Sequence, residues 1–178
     1  FVFEFANNHM GDLNFGKTLI KDFAEVAKKF PEFNFIFKFQ SRIIDSFIHP
    51  HFKEKKEIKY VKRFSETSLT KEEFSILFSQ VKEYGHKVML TPFDEASVDL
   101  AEELNVDIIK IASCSLCDWP LFERIVSTNK PLVFSTAGAQ FEEIDKAVSF
   151  YKNRKKSFSL MHCVGEYPTD HCNLQINQ

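Results

Sequence analysis

The chain has 178 residues, of which 44% are hydrophobic, enough for one domain with a buried core or for most of a larger one. Its formal net charge of −2 gives no reason to expect a nucleic-acid or membrane-surface partner. No apolar segment approaches the roughly 18 residues that span a bilayer. No signal peptide opens the chain, so we expect a cytoplasmic protein.

Six short apolar runs predict six strands, and helical patterns separate them. The predicted strands cover residues 1–6, 33–39, 87–90, 108–112, 131–134 and 158–163. The first helix is expected over about 14–30, stopped by Pro31. Its buried face is expected to consist of Leu19, Phe23, Val26, Ala27 and Phe30. The connection over 40–68 is longer than an ordinary loop, so it is expected to be functional or to carry small elements of its own.

The later helices carry recognisable start signals. Thr70 and Glu73, three residues apart, predict a capping box ahead of the next helix. Asp94 can cap the helix after the third strand, and Pro120 suits the first turn of the helix after the fourth. The apolar stripe expected after the capping box is Phe74, Leu77, Phe78 and Val81.

Lysines interrupt two of the predicted strands. Residues 107–113 form an apolar run with Lys110 inside it, and residues 35–40 repeat that form with Lys38. A lysine is almost never fully buried in a strand unless a partner meets its charge. Lys110 could instead point outward and extend its charged end past a covering helix. The second copy of the pattern favours the interpretation in which both lysines meet an anion.

Alternating strands and helices predict βαβ units and a parallel sheet. An open doubly wound sheet would carry a glycine-rich phosphate loop after the first strand, and the Asn-Asn-His-Met-Gly of residues 7–11 is not such a loop. A (β/α)8 TIM barrel places polar residues at the C-terminal ends of its strands, where its active site is built. That pattern predicts an α/β chain whose six strands belong to such a barrel. The polar strand ends are Glu4, Lys38, Gln40, Thr91, Lys110, Ser113, Ser135, Thr136, His162 and Tyr167.

The polar strand ends predict a site for a small, multiply charged anion. Two lysines supply point charges and the hydroxyl residues supply donors, a set that suits a phosphorylated carboxylate. Glu4 is an acceptor, suited to general base work or to a hydroxyl or amine of a second substrate. Each serine or threonine taken alone could equally be a turn residue or a helix cap. A lysine could also form a Schiff base with a carbonyl substrate, although two lysines among hydroxyls suit anion binding better.

Cys114 and Cys117 form a C-x-x-C pair. This spacing suits zinc or a dithiol, but the sequence has no second ligand pair at matching spacing. A structural role for small, apolar side chains is therefore the favoured interpretation.

Six blocks of sequence at the predicted strand ends form an ordered series. They are residues 4–11 (Glu-Phe-Ala-Asn-Asn-His-Met-Gly), 38–40 (Lys-Phe-Gln), 91–94 (Thr-Pro-Phe-Asp), 110–113 (Lys-Ile-Ala-Ser), 135–138 (Ser-Thr-Ala-Gly), and 162–163 (His-Cys) followed by 167–169 (Tyr-Pro-Thr). In this order they resemble the motif series of the N-acetylneuraminate (sialic acid) synthase family, over essentially the whole chain. The resemblance implies a TIM barrel that condenses phosphoenolpyruvate with an N-acetylated hexose, such as N-acetylmannosamine. The products would be phosphate and a nine-carbon 2-keto sugar acid for surface polysaccharides.

The resemblance also implies a role for each matching residue. The phosphate and carboxylate of phosphoenolpyruvate would be bound by Lys38, Thr91, Lys110, Ser113 and Ser135. Glu4 and Tyr167 would be catalytic, and the sugar would be bound by Gln40 and Tyr167. A divalent metal, Mn²⁺ or Mg²⁺, would polarise the sugar aldehyde, and none of the chain's six histidines can be assigned as its ligand.

On this interpretation, residues 1–178 are the N-terminal part of a single barrel domain. The family's last strands, with the metal ligands, and its C-terminal antifreeze-like domain would be absent from the chain, so the isolated chain need not be active. The full-length form is expected to be a homodimer. Ser115 stands where synthases of the sialic acid type carry a glutamate that touches the sugar, and Gly165 stands where an asparagine is usual. The acceptor sugar therefore stays open.

Two alternatives remain at the level of sequence. The chain could be a non-catalytic barrel fragment that binds a sugar acid or serves as an assembly module. It could also belong to another phosphoenolpyruvate-dependent aldose condensation, one that makes a keto-deoxy sugar phosphate and needs a second phosphate site.

Overall fold

The computed structural model describes residues 1–177, in which six strands alternate with seven α-helices. This alternation confirms the predicted α/β class. The chain divides into two compact units, the first covering Phe1–Asp107 and the second beginning at Ile108. Within the described residues, no helix is both long enough and apolar enough to cross a bilayer.

The first unit contains three parallel strands, with the second strand between the other two. The strands are β1 (Val2–Ala6), β2 (Ile36–Ser41) and β3 (Lys87–Pro92). The helices are α1 (Leu13–Ala27), α2 (Ile44–Phe47), α3 (Lys59–Glu66), α4 (Lys71–Glu83) and α5 (Glu95–Glu103).

The second unit repeats this strand arrangement, with three parallel strands paired in chain order. The strands are β4 (Ile108–Ile111), β5 (Leu132–Ser135) and β6 (Phe158–Met161). The helices are α6 (Trp119–Val126) and α7 (Phe141–Asn153). Each predicted strand is therefore present, with ends that differ from the predictions by up to three residues.

Alternation of side chains along β2 separates the core of the first unit from a polar face. Phe37 and Phe39 are fully buried, and the Phe39 ring packs on Phe78 of α4 with ring centroids 4.9 Å apart. Lys38 lies between these two residues in sequence, so it projects from the opposite face of the strand. The aromatic core against α4 thus leaves the other face of β2 to polar groups.

The second unit builds its core around Tyr151 of α7 in the same way. Its ring lies 4.9 Å from that of Phe122 and 5.8 Å from that of Phe134, centroid to centroid, and all three side chains are fully buried. Ile109 and Ile111 of β4 are also fully buried, and Lys110 between them projects from the opposite face.

The buried face of helix α1 shares Ala27 alone with the predicted face. The buried residues are Gly16, Ile20, Ala24 and Ala27, whereas Phe23 and Val26 are 44% and 46% exposed. The helix carries two apolar stripes, and the one made of small residues packs inward because it permits close approach. A Cβ atom on Gly16 would lie 3.2 Å from the Leu77 side chain of α4. The helix ends at Ala27 rather than Phe30, because a residue before proline disfavours helical geometry.

The predicted capping signals are confirmed. Thr70 Oγ1 accepts from the N–H of Glu73 at 3.2 Å, and Glu73 Oε2 accepts from the N–H of Thr70 at 2.8 Å. Asp94 accepts from the N–H of Ser97 at 2.7 Å and so caps α5. Pro120 lies in the first turn of α6. The four residues of the predicted α4 stripe are all buried.

The long connection after β2 carries small elements of its own, as expected: α2, a 3₁₀ turn over Pro50–Phe52, and α3. Its far end reaches the turn that follows β1. Gly11 in that turn has φ +76°, and a Cβ atom there would collide with the carbonyl oxygen of Glu66. Glycine is required at this position both for its backbone angle and for the close approach.

Candidate functional site

In each unit, a buried lysine contacts a hydroxyl group on the next strand. The position of the hydroxyl residue relative to the lysine's register partner is the same in both units. Lys38 pairs with Met89 of β3, and Lys110 pairs with Val133 of β5. In each case the hydroxyl residue lies two positions after the paired residue, on the same face of the sheet and nearer its C-terminal edge. These hydroxyl residues are Thr91 and Ser135.

The first cluster, which we call the Lys38 cluster, consists of Glu4, Lys38 and Thr91. Lys38 Nζ lies 2.7 Å from Glu4 Oε1 and donates a hydrogen bond to Thr91 Oγ1 at 3.4 Å. Glu4 is the register partner of Lys38 on β1, so both side chains project from one face. Lys38 is buried, while the Glu4 side chain is 56% exposed. The cluster therefore joins a buried cation to a carboxylate that solvent can reach.

The second cluster, which we call the Lys110 cluster, consists of Lys110, Ser113 and Ser135. Lys110 Nζ donates to Ser135 Oγ at 2.5 Å and to the carbonyl oxygen of Ile111 at 2.8 Å. Lys110 is only 7% exposed, so the alternative in which it extends outward past a helix is wrong. Ser113 Oγ accepts from the N–H of Ala137 at 3.2 Å, which joins the turn after β4 to the turn after β5.

The two residues predicted to bind the sugar lie in different settings. Gln40 is half-buried at the end of β2, and its Oε1 accepts hydrogen bonds from Arg42. Tyr167 follows β6, and its side chain is fully exposed. The structure thus keeps Gln40 on the same strand as Lys38, and it does not bring Tyr167 into contact with the Lys110 cluster.

Sequence reasoning gave no role to Arg42. Its guanidinium carbon lies 3.7 Å from the ring centroid of Phe93 and 4.3 Å from that of Phe64. The two phenylalanines are distant from Arg42 in sequence and from each other. No local signal could have revealed this arrangement, except that the arginine lies two residues after the Lys-Phe-Gln block.

His9, in the Asn-Asn-His block, is a buried neutral residue. Its Nδ1 accepts a hydrogen bond from the N–H of Gly11 at 3.1 Å, and its ring stacks on Phe5 with centroids 5.8 Å apart. Burial lowers the pKa of His9 to about 4, although the carboxylate of Glu73 acts in the opposite direction. The residue therefore supports the turn after β1 as an uncharged acceptor.

The described residues contain no group of three or more His, Cys, Asp or Glu side chains that could hold a metal ion. They therefore do not fit the divalent metal that the sequence resemblance implies. Cys114 and Cys117 are both exposed, so the expected packing role for them is wrong. Partial desolvation, and then the hydrogen bond to Glu143, raises the pKa of the Cys117 thiol. A raised pKa disfavours the thiolate form of Cys117, so this thiol is not activated as a nucleophile.

Comparison with known proteins decides the family. Residues 33–178 match the NeuB family. The chain belongs to the NeuB family. This confirms the resemblance to the sialic acid synthases found in the sequence motifs.

Relatives of this NeuB chain include proteins named as synthases and solved structures. The N,N'-diacetyllegionaminic acid synthase of Campylobacter jejuni is 30% identical over 94% of the chain and 52% of its own length. A candidate spore coat polysaccharide biosynthesis protein E from Chromobacterium violaceum superposes with a TM-score of 0.93 and 52% identity, covering 98% of this chain and 52% of that one. The N-acetylneuraminic acid synthetase of Leptospira borgpetersenii, solved with citrate, has a TM-score of 0.84 and 30% identity over 98% of this chain and 57% of that one.

The NeuB chain thus spans about half the length of the relatives that it matches. Its six parallel strands alternating with helices, together with these structural neighbours, confirm the prediction of a TIM-barrel fold represented by six of its strands. The assignment of residues 1–178 to a single barrel domain stays a prediction.

Proposed function

We propose that this chain is part of an enzyme that condenses phosphoenolpyruvate with an N-acetylated hexose. The enzyme is a carbon–carbon bond-forming transferase, and its product is a nine-carbon 2-keto sugar acid of the sialic acid type. The observation that carries this proposal is the presence of two buried lysines, each held at a strand end by a neighbouring hydroxyl group. A buried ammonium group is costly for a fold unless its charge is compensated, as Glu4 compensates Lys38 and as an anionic ligand would compensate either lysine.

Phosphoenolpyruvate suits these clusters because it carries two anionic groups, a phosphate and a carboxylate. An ammonium group provides a point charge with up to three donors, and a hydroxyl group provides a further donor of variable direction. We assign the phosphate and carboxylate to the five residues of the sequence prediction, Lys38, Thr91, Lys110, Ser113 and Ser135.

Glu4 is the residue that we assign to proton handling. Its carboxylate is exposed to solvent on one side and paired with Lys38 on the other, at 2.7 Å. A carboxylate in this position can accept a proton or hold a hydroxyl group of an incoming sugar, and the ammonium group 2.7 Å away helps to fix its orientation. Gln40 and Tyr167 are assigned to the sugar, Tyr167 on the strength of its motif alone.

In the proposed reaction, C3 of phosphoenolpyruvate forms the new bond to the sugar aldehyde carbon. Water adds at C2, and phosphate leaves. A divalent metal, Mn²⁺ or Mg²⁺, belongs to this proposal, and its ligands would be other than the described residues. A homodimeric full-length form and a place in surface polysaccharide biosynthesis also belong to it. The relatives named as legionaminic and N-acetylneuraminic acid synthases support the substrate class.

Calorimetric titration of the chain with phosphoenolpyruvate, with and without Mn²⁺, tests the proposal. We expect saturable binding that does not depend on the metal, because the lysine clusters are formed by the chain itself. Pyruvate, which lacks the phosphate, should bind at least tenfold more weakly. Absence of phosphoenolpyruvate binding to a demonstrably folded sample would refute the assignment.

The Schiff-base alternative has its own test. Borohydride added in the presence of pyruvate would attach a stable three-carbon group to Lys38 or Lys110 if either amine formed an imine. We expect mass spectrometry to find neither lysine modified.

A further inference from the structure

Arg42 occupies an aromatic setting next to the strand that carries Lys38. Its guanidinium carbon lies 3.7 Å from the Phe93 ring centroid and 4.3 Å from the Phe64 ring centroid. Phe47 lies further away, at 5.9 Å. A guanidinium group stacks on aromatic faces because it is planar and weakly hydrated, and such stacking limits its motion. Arg42 is therefore a fixed group rather than a flexible surface side chain.

The guanidinium group of Arg42 donates hydrogen bonds to the side chain of Gln40. Nη1 and Nη2 of Arg42 both donate to Oε1 of Gln40, each at 3.4 Å. A glutamine amide has an accepting oxygen at one end and a donating NH₂ at the other. Because the guanidinium group has donors only, the amide oxygen must face Arg42. The NH₂ group of Gln40 consequently points away from Arg42.

Gln40 lies where a substrate of the Lys38 cluster would meet it. It is the register partner of Thr91 and follows Lys38 by two positions, so its side chain shares a face with both. It is also nearer than Lys38 to the C-terminal end of β2, the edge at which barrel enzymes build their active sites.

We propose that Arg42 is a positioning residue that holds the Gln40 amide in one orientation, so that Gln40 presents only N–H donors to the acceptor sugar. The sugar must then offer an oxygen acceptor at this point, such as an N-acyl carbonyl oxygen. The inference about the sugar rests on the proposed function, whereas the orientation of the amide does not. A hydrogen-bonding site of this kind rejects an analogue that lacks the matching group more strongly than an apolar site does.

Three substitutions separate the parts of this proposal. Arg42→Met removes the donors but keeps an apolar side chain between the rings. Arg42→Lys keeps the charge but loses the planar stack and the paired donors. Gln40→Glu keeps and strengthens the contact with Arg42, because a carboxylate accepts both N–H groups, but it removes the NH₂ donors. Arg63→Met, at an exposed arginine of α3, is the matched control.

The first measurement needs no ligand. Side-chain ¹⁵N relaxation gives the order parameter of the Gln40 NH₂ group in the wild-type chain and in the arginine variants. We expect an ordered amide in the wild type and in Arg63→Met, and a mobile one, below about 0.6, in Arg42→Met. Arg42→Lys should lie between them. An equally ordered amide in Arg42→Met would overturn the positioning role.

The second measurement titrates N-acetylmannosamine and phosphoenolpyruvate separately. Gln40→Glu should lose about tenfold in sugar affinity, the usual effect of one lost hydrogen bond, while its melting temperature does not fall. Arg42→Met should lose affinity for the sugar but not for phosphoenolpyruvate. Unchanged sugar affinity in Gln40→Glu would overturn the donor assignment. Failure of the wild type to bind phosphoenolpyruvate would instead refute the proposed function, and the order parameters would still decide the role of Arg42.

Discussion

The Lys38 and Lys110 clusters share a backbone arrangement, and the Lys38 cluster as defined above includes the carboxylate of Glu4. In both, a lysine reaches the hydroxyl residue two positions beyond its register partner. Lys38 also pairs with the carboxylate of Glu4, whereas Lys110 donates to a hydroxyl and a backbone carbonyl oxygen. The strand register determines the position of each ammonium group. The residues of the neighbouring strands determine which groups it contacts.

The Glu4 carboxylate affects how the Lys38 cluster would receive an anion. An anion that approaches Lys38 meets a cation whose charge is shared with a carboxylate 2.7 Å away. Removing the lysine from such a pair leaves the carboxylate behind, and like charges then repel the ligand. The effect of replacing Lys38 should therefore depend on Glu4. The partners of Lys110 include two neutral oxygens, those of the Ser135 hydroxyl group and the Ile111 carbonyl group.

Lys38→Ala should have the largest effect on ligand binding. We expect it to weaken phosphoenolpyruvate binding about a thousandfold, roughly 4 kcal/mol, because the ligand loses a buried cation and gains the uncompensated carboxylate of Glu4. The double variant Lys38→Ala/Glu4→Gln should bind phosphoenolpyruvate about tenfold more tightly than Lys38→Ala does. Calorimetry on folded samples measures both. Lys28→Ala is the control, since it breaks an exposed ion pair with Glu25 of similar length, 2.6 Å. Equal affinities of the single and double variants would contradict this effect of Glu4.

Lys110→Ala should weaken phosphoenolpyruvate binding about a hundredfold, or roughly 3 kcal/mol, with the fold largely intact. The loss is expected because the ligand loses a buried cation, while the hydroxyl groups of Ser113 and Ser135 stay available as donors. Lys152→Ala, at an exposed lysine of α7, is the matched control. If a folded Lys110→Ala variant binds as the wild type does, Lys110 does not contact the ligand.

Acid should destabilise the protein through His9 of the first unit and not through Tyr151 of the second. The pKa of His9 is about 4 when folded and about 6.5 when exposed, so between these values the unfolded state takes up the proton and the folded state does not. Its contribution is complete above pH 6.5 and is lost as the pH falls towards 4, by about 3 kcal/mol. An ordinary phenol is already neutral over this range, and burial raises the pKa of Tyr151 further, so Tyr151 takes no part in the response to acid.

Urea unfolding of the wild type and His9→Asn at pH 7 and pH 4.5 measures this effect. An asparagine oxygen can still accept from the backbone, but the side chain does not titrate. The variant should therefore lose less stability than the wild type on acidification. Parallel losses in the two proteins would show that His9 is protonated in the folded state or that other groups dominate.

The smallest expected effect is on stability, and it distinguishes the N-cap of α4 in the first unit from that of α7 in the second. Thr70→Ala should cost about 1 kcal/mol in the free energy of unfolding, because the threonine caps α4 through a short side chain. Gln140, at the N-cap of α7, lies outside the residue types that cap well, so Gln140→Ala should cost only a few tenths of a kcal/mol. Chemical denaturation of both variants makes the comparison. Equal costs would mean that Gln140 caps as effectively as Thr70.

The features that sequence predicted correctly are those encoded by local pattern. The strands follow from apolar runs, and the capping box follows from two residues three apart. The burial of Lys38 and Lys110 follows from their position inside apolar runs. In each case the signal itself is local: an apolar run, a lysine inside that run, or two residues three apart.

The features that sequence missed depend on partners from distant segments. Which apolar stripe of α1 packs inward depends on Leu77 of α4, and the wrong stripe was chosen because large residues dominate any count of hydrophobicity. The ion pair of Glu4 with Lys38 depends on the register of β1 and β2. The stacking of Arg42 depends on rings 22 and 51 residues further along the chain. Contacts of this kind leave no periodic trace in a single sequence.

The close approach of Gly11 to Glu66 has a consequence for protein engineering. No methyl group fits between the turn after β1 and the end of α3, so the lengths and shapes of these two loops are matched to each other. The connection that ends at this contact also carries Arg42, which contacts Gln40, and Phe64, on which Arg42 stacks. Exchanging that connection alone with a relative, in order to change the acceptor sugar, would misfit at position 11. A successful graft must transfer residues 7–12 and 42–69 together.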